Sequence, residues 1–379
     1  MSMAALLALA TPARAAFPGA NGKIAFENGH YDPNYEGFPS HYALFTISPN
    51  GGNRTLVADD NAGNGLWSPD GDRLAFQSDL LVGCCYSYQP IEVINADGSG
   101  RMRLTHPPGS VEGTTHLGDW SPDGSRIAFT AEVDEALPEV FTIRPDASDR
   151  AKLTDCAGRC IVFQPRWSPN GEQIAFAYSI DQVAGIAIVN ADGTGERFLT
   201  STVDEAVSSP AWSPDGATIA FVRGSQVYKV NADGSEETQL THIPDRPFDL
   251  FWFKNTLSWS PNGDELLFGR GGDVYTMDRD GERVLNLTEN GRSGAPVWSP
   301  DGQKIAFSIG QALPITDDAG DGVYIMNADG SERTQVTSSP AGFDLPTDWQ
   351  AIPFKNPSKK CKSSPGAYRN HGQCVKASH

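Results

Sequence analysis

The chain contains no apolar run approaching the ~18 residues that a membrane-crossing helix requires. Positive charge is scarce: 29 Lys and Arg stand against 47 Asp and Glu, a formal net charge of −18. No basic field is available to hold phosphates, which excludes nucleic acid and anionic membrane surfaces as expected partners. Histidine (7), cysteine (6) and methionine (5) are few. The spacings that carry chemistry are missing as well, with no H-E-x-x-H and no P-loop. The nearest thing to a nucleophile elbow, Gly291-Arg292-Ser293-Gly294-Ala295, ends in Ala and lacks a strand-to-helix context. Asp317-Asp318-Ala319-Gly320-Asp321-Gly322 lacks the acidic third ligand and the twelfth-position Glu of an EF-hand, and reads as an Asp/Gly-rich turn.

Glycine (39) and proline (27) are plentiful, and their placement is periodic. The stretch Trp298-Ser299-Pro300-Asp301-Gly302-Gln303-Lys304-Ile305-Ala306-Phe307 reads as a strand end, a tight turn and a second strand. Pro presets the backbone of the first central turn position, Asp tolerates the second, and Gly accepts the left-handed conformation that closes the turn. The same pattern begins at Trp67, Trp120, Trp167, Trp212 and Trp259, and each copy ends on a Phe: Phe76, Phe129, Phe176, Phe221 and Phe268. Asn170 and Asn262 replace the turn Asp in two copies, which suits the same geometry. Each unit continues through a second turn, such as Asn95-Ala96-Asp97-Gly98 or Asn327-Ala328-Asp329-Gly330, to a strand ending in Leu-Thr or Val-Thr. Four strands, here A to D, recur at a period of roughly 40–50 residues, the spacing of β-propeller blades.

Both ends of the array are incomplete in complementary ways. Asn21-Gly22-Lys23-Ile24-Ala25-Phe26 starts a unit without its Trp strand, and Asp348-Trp349 is a Trp strand without a following unit. Joining them makes one blade, and the expected fold is an all-β, seven-bladed β-propeller with one blade shared between the termini. The Trp and Phe side chains are expected between blades. The expected organisation is a secretory leader over 1–16, the propeller over 17–353 and a basic tail over 354–379. The leader reading rests on the apolar run at 4–10 and on Ala13-Arg14-Ala15, a cleavage-like site. Cys156–Cys160 and Cys361–Cys374 are the disulfide pairs expected in an exported chain, with other connectivities open.

These motifs resemble the TolB-like β-propeller repeat, which reads Trp-Ser-Pro-Asp-Gly, Ile-Ala-Phe, Tyr-x-Met-Asn-x-Asp-Gly and Leu-Thr. The unit from Trp298 through Val323-Tyr324-Ile325-Met326-Asn327-Ala328-Asp329-Gly330 to Val336-Thr337 shows the likeness best. It covers about residues 20–353. The resemblance implies a propeller and, from TolB itself, a periplasmic role in binding envelope proteins. Seven units in place of six, and no α/β domain ahead of them, set this chain apart from TolB.

In a propeller the A–B and C–D turns share one face, and the B–C and D–A connections share the other. The first set is uniform here and the second varies. From Phe26 to Ser48, Phe76 to Asn95 or Phe307 to Asn327 the chain runs about twice as far as from Phe221 to Asn231. Variable loops on a rigid scaffold are where recognition concentrates, so the candidate surface is the B–C/D–A face and the channel mouth within it. Its candidate binding residues are His30, Tyr31, Tyr35, His41, Tyr86, Tyr88, His106, His116, Asp119, His242, Phe251, Trp252 and Asp348. The aromatics offer large contact areas to a protein or glycan. The histidines lack i, i+4 or H-x-H spacing, so no metal, cofactor or catalytic residue is expected. The resulting expectation is a secreted or periplasmic, monomeric, non-catalytic propeller that binds an envelope or extracellular protein, or a glycan. The alternative is a metal-dependent, polysaccharide-lyase-like enzyme that uses His and Asp at the channel mouth. The basic tail is a candidate anchor to anionic envelope polymers.

Overall fold

The computed structural model describes residues 19–31, 39–78, 89–105, 112–133, 137–155, 159–243, 257–310, 321–339 and 342–353. Seven antiparallel sheets stand in a ring, and no helix occurs among the described residues. Blade 1 has the order Gly342–Ile352, Ala20–Tyr31, Pro39–Ile47, Thr55–Ala58, so the last strand of the chain is its inner strand. Trp349 stands opposite Ile24 and Asp348 opposite Ala25, the closure that the two incomplete ends require. Blades 2 to 7 follow in chain order, with inner strands Gly63–Trp67, Glu112–Trp120, Ile161–Trp167, Val207–Trp212, Leu257–Trp259 and Ser293–Trp298.

The repeated turn forms because its side chains bond back to it. The Ser68 hydroxyl donates to Asp70 Oδ1 at 2.5 Å and accepts the Arg73 N–H at 3.0 Å, while the Gly71 N–H reaches the Ser68 carbonyl at 2.8 Å. The same bonds recur at Ser121, Ser168, Ser213, Ser260 and Ser299. Each turn also seats the next. The left-handed glycines Gly124, Gly171, Gly216, Gly263 and Gly302 face Pro69, Pro122, Pro169, Pro214 and Pro261 of the preceding blade, where a Cβ would meet the proline ring.

The core lies between neighbouring sheets. Ile24, Phe26 and Trp349 of blade 1 pack with Ala306, Val323 and Ile325 of blade 7, which seals the ring where the chain ends meet. Indole N–H groups cross the same gaps. Trp120 donates to the Leu66 carbonyl at 3.1 Å, Trp212 to Arg166 at 3.2 Å and Trp259 to Ala211 at 3.1 Å. The repeat Phe also stacks within its own blade on the strand C aromatic directly opposite, as in Phe26–Phe45 and Phe129–Phe141.

Candidate functional site

Inner strands run from the B–C/D–A face toward the Trp-Ser-Pro turns, and together they wall the central channel. Those of blades 2, 4, 5 and 7 carry a β-bulge three residues before the Trp. The ladder register slips between Gly63 and Leu66, Phe163 and Arg166, Ser208 and Ala211, and Gly294 and Val297. At these bulges Asn64, Gln164, Ser209 and Ala295 adopt left-handed backbone with φ from 47° to 56°. A bulge frees a main-chain N–H from the ladder. Side-chain oxygens of the preceding blade capture it: the Asn64 N–H donates to Glu27 Oε1 at 2.7 Å, and the Ser209 N–H to Gln164 Oε1 at 2.6 Å.

The wall is polar on one side of the ring. From Glu27 the network passes through Asn64, whose amide donates to Gln77 Oε1 at 3.0 Å. The Gln77 amide in turn donates to Gln89 Oε1 at 3.3 Å and to the Thr115 carbonyl at 2.9 Å. Beside it, the Asn28 amide donates to Asp344 Oδ1 at 2.6 Å and to Ser339 at 3.1 Å, and the Thr337 hydroxyl donates to the other Asp344 oxygen. Blades 1 and 2 thus supply buried carboxylates and amides, joined by a main-chain carbonyl of blade 3 and by hydroxyls at the end of blade 7.

The long B–C connections join strand ends on that side of the ring. They leave strands ending at Tyr31, Gln77 and Ile309 and rejoin at Pro39, Ile91 and Gly322. Those strands belong to blades 1, 2 and 7, which ring closure makes neighbours. In blades 4, 5 and 6 the corresponding strands rejoin almost at once, at Val183, Gln226 and Asp273.

The sequence-derived candidates divide as follows. Tyr35, Tyr86, Tyr88, His106, Phe251 and Trp252 lie outside the described residues, as do Cys84, Cys85, Cys156, Cys361 and Cys374. His30 and Tyr31 end strand B of blade 1, with His30 opposite His41 in the backbone register; His41 is half-buried. His242 is exposed beyond the outer strand of blade 5. His116 sits on the inner strand of blade 3 opposite Thr130, and burial lowers its imidazole to about 4. Asp119 and Asp348 immediately precede inner-strand tryptophans, at the channel end nearer the short turns. Asp348 is committed to the fold: its two oxygens accept the Trp67 and Trp349 N–H groups, each at 2.8 Å. Among the described residues no three His, Cys, Asp or Glu side chains gather to hold a metal.

Residues missed by sequence reasoning are Glu27, Asn28, Asn64, Gln77, Gln89 and Asp344. They interrupt apolar strands at isolated positions, and only the bulges and ring closure bring them together. The available signal was an acid or amide directly after the repeat Phe, as at Glu27 and Gln77, where other units carry Ala177, Val222 or Gly269.

Residues 117–290 match the family model described as the TolB beta propeller domain. No curated protein matches the chain in sequence. Solved structures show the same architecture. A puromycin-hydrolyzing peptidase from Mycobacterium tuberculosis superposes with a TM-score of 0.61 at 13% identity, over 87% of this chain and 55% of that one. An oligogalacturonate lyase in complex with manganese gives 0.56 at 14%, over 78% and 92%. TolB from Acinetobacter baumannii gives 0.49 at 17%, over 86% and 67%. At these identities the likeness is one of fold.

Proposed function

We propose that this TolB-like, seven-bladed β-propeller is an exported, non-catalytic binding module that takes an envelope or extracellular protein, or a glycan, on its B–C/D–A face. One observation carries the reading. The buried polar network of blades 1 and 2 and the strand ends joined by the three long B–C connections, of blades 7, 1 and 2, fall on the same side of the ring. A sector held rigid by buried hydrogen bonds beneath long, variable connections suits recognition of a partner at the mouth. His30, Tyr31, Tyr35, His41, Tyr86 and Tyr88 belong to the loops or strand ends of that sector, and their aromatic and imidazole groups suit a protein or sugar surface. His106, His116, Asp119, His242, Phe251, Trp252 and Asp348 stand further round the ring or deeper in it.

The leader-like start of the chain and the TolB-like repeats support an envelope location. Cys156–Cys160 bonding would accord with it, since Cys160 is buried in the core of blade 4. The metal-dependent enzyme reading has less support, because Asp348, one of its two carboxylates, already spans two backbone N–H groups.

The test is affinity capture from the native envelope fraction, with metal analysis of the purified chain. Wild-type protein should form a saturable complex. Replacing residues 79–88 with a short Gly-Ser link should abolish it, and altering the C–D turns on the opposite face should not. Undiminished capture by the loop variant would reject the surface. Stoichiometric metal together with turnover of a uronic-acid polymer would transfer the chain to the enzyme reading.

A further inference from the structure

Indole N–H groups join neighbouring blades at one level of the ring. Trp120, Trp212 and Trp259 each donate to a carbonyl of the blade before, at Leu66, Arg166 and Ala211, the residues that precede the inner-strand Trp of those blades. Between blades 6 and 7 the corresponding pair is Trp298 and Ser258. That bond is not made. Trp298 Nε1 is buried and has no hydrogen-bond partner among the described residues, and the same holds for Ser258 Oγ. Proteins satisfy nearly all such buried groups, because an unpaired one costs its full desolvation. Blade 6 is also the one blade with a hydroxyl before its Trp. The other six carry Asp348, Leu66, Asp119, Arg166, Ala211 and Val297 at this position.

Both orphaned atoms face the same space. Ser258 stands opposite Leu267 in the ladder, so their side chains leave the same side of the sheet. Leu267 packs with Trp298, Ile305 and Phe307 of blade 7, which makes this the side turned toward Trp298. Leu257 and Trp259, on either side of Ser258, pack the opposite way, against Ala211 and Ala220 of blade 5. The gap is shut on both sides of this level along the strands. Toward the B–C/D–A face a Cβ on Gly269 would lie 3.4 Å from the Pro296 ring, and at the short turns a Cβ on Gly302 would lie 3.2 Å from the Pro261 ring.

We propose that blades 6 and 7 bind one water molecule between them, held by the Trp298 indole N–H and by Ser258 Oγ. An indole only donates, whereas a serine hydroxyl donates or accepts. The water therefore accepts from Trp298 and bonds to Ser258 Oγ. The Ser258 carbonyl, counterpart of the Ala211 carbonyl that accepts Trp259, supplies a further acceptor. About three partners are the usual complement of a buried water. The ligand is neutral because its partners are neutral. An ion among Leu267, Val274 and Ile305 would have no opposite charge to offset its burial. The water completes the inter-blade bond that blades 3, 5 and 6 make directly, and the site is independent of the binding face proposed above.

A crystal structure of the full chain that orders solvent tests this directly. It should show one water within hydrogen-bond distance of both Trp298 Nε1 and Ser258 Oγ. Trp298 donating straight to the Ser258 carbonyl, or a gap without solvent density, would overturn the proposal. Urea unfolding supplies a second measurement. Trp298→Phe removes the indole donor and keeps an aromatic ring, and Ser258→Ala removes the hydroxyl and keeps the Cβ. Each should lower the urea midpoint. The double variant should lower it by less than the sum of the two shifts, since either change alone already weakens the hold on the shared water. Strictly additive shifts would mean that the two side chains have no common partner, and would equally overturn it.

Discussion

The threonine that ends each Leu-Thr or Val-Thr pair is a structural cap. Thr105, Thr154, Thr200, Thr241, Thr288 and Thr337 accept the strand C N–H groups of Ile91, Val140, Ile186, Val227, Val274 and Val323 at 2.8–3.0 Å. Each hydroxyl takes an N–H of strand C near the end of strand D, and so closes the blade where D meets C. Asp348 does comparable work between blades, and its removal strands two buried donors. Asp348→Ala should therefore cost about 2–5 kcal/mol in urea unfolding, and Asp348→Asn, which keeps one oxygen, distinctly less. His116 gives a pH signature. Folding lowers its imidazole from 6.5 to about 4, so the unfolded chain takes up the proton first as pH falls through 6.5. Stability owed to the neutral ring is complete above that value and declines down to about 4. His116→Gln should flatten the stability profile across this window, as read from urea midpoints at several pH values. An unchanged slope would assign the decline to other groups.

At the scale of strand and blade, the repeat was legible because each local choice agreed with the next. Pro, Asp and Gly fix the first turn, Asn-Ala-Asp-Gly the second, and Ile-Ala-Phe the buried strand between them. The inner-strand bulges were not legible. Asn64, Gln164, Ser209 and Ala295 have no residue type in common, so no local pattern marks the bulge. Trp67 belongs to the legible part. Its side chain is fully buried between blades, so Trp67→Ala should lower stability by about 3–5 kcal/mol, measurable by denaturant unfolding. A loss below about 1 kcal/mol would mean the gap between blades closes over the missing ring.

For the whole molecule, closure and charge set the limits. A chain ended after Pro346 retains every repeat turn but loses the part of its last strand that includes Asp348 and Trp349. Blade 1 then has no complete inner strand, and the single cooperative unfolding transition should disappear. A soluble truncated protein with a sharp transition would refute closure as the source of stability. Acid should act through the turns. Side-chain and backbone hydrogen bonds from Ser99, Ser148, Thr194, Ser235 and Ser331 hold Asp97, Asp146, Asp192, Asp233 and Asp329 below the ordinary carboxylate value of 3.8. The stability they add is present above that range and lost as pH falls through the folded values. Changing all five hydroxyl residues to Ala should move the acid-unfolding midpoint to higher pH.

By itself the sequence determined the strands, their turns, the number of blades and the joining of the ends. Those are decided within a few residues, by turn chemistry and by apolar spacing repeated until chance is excluded. Only the tertiary structure decided which buried polar residues meet, that Asp348 secures the fold, and that the strand ends flanking the long B–C connections of blades 7, 1 and 2 stand side by side. These facts depend on distances between residues far apart in the chain, which ring closure and the inner-strand bulges create and no local pattern records.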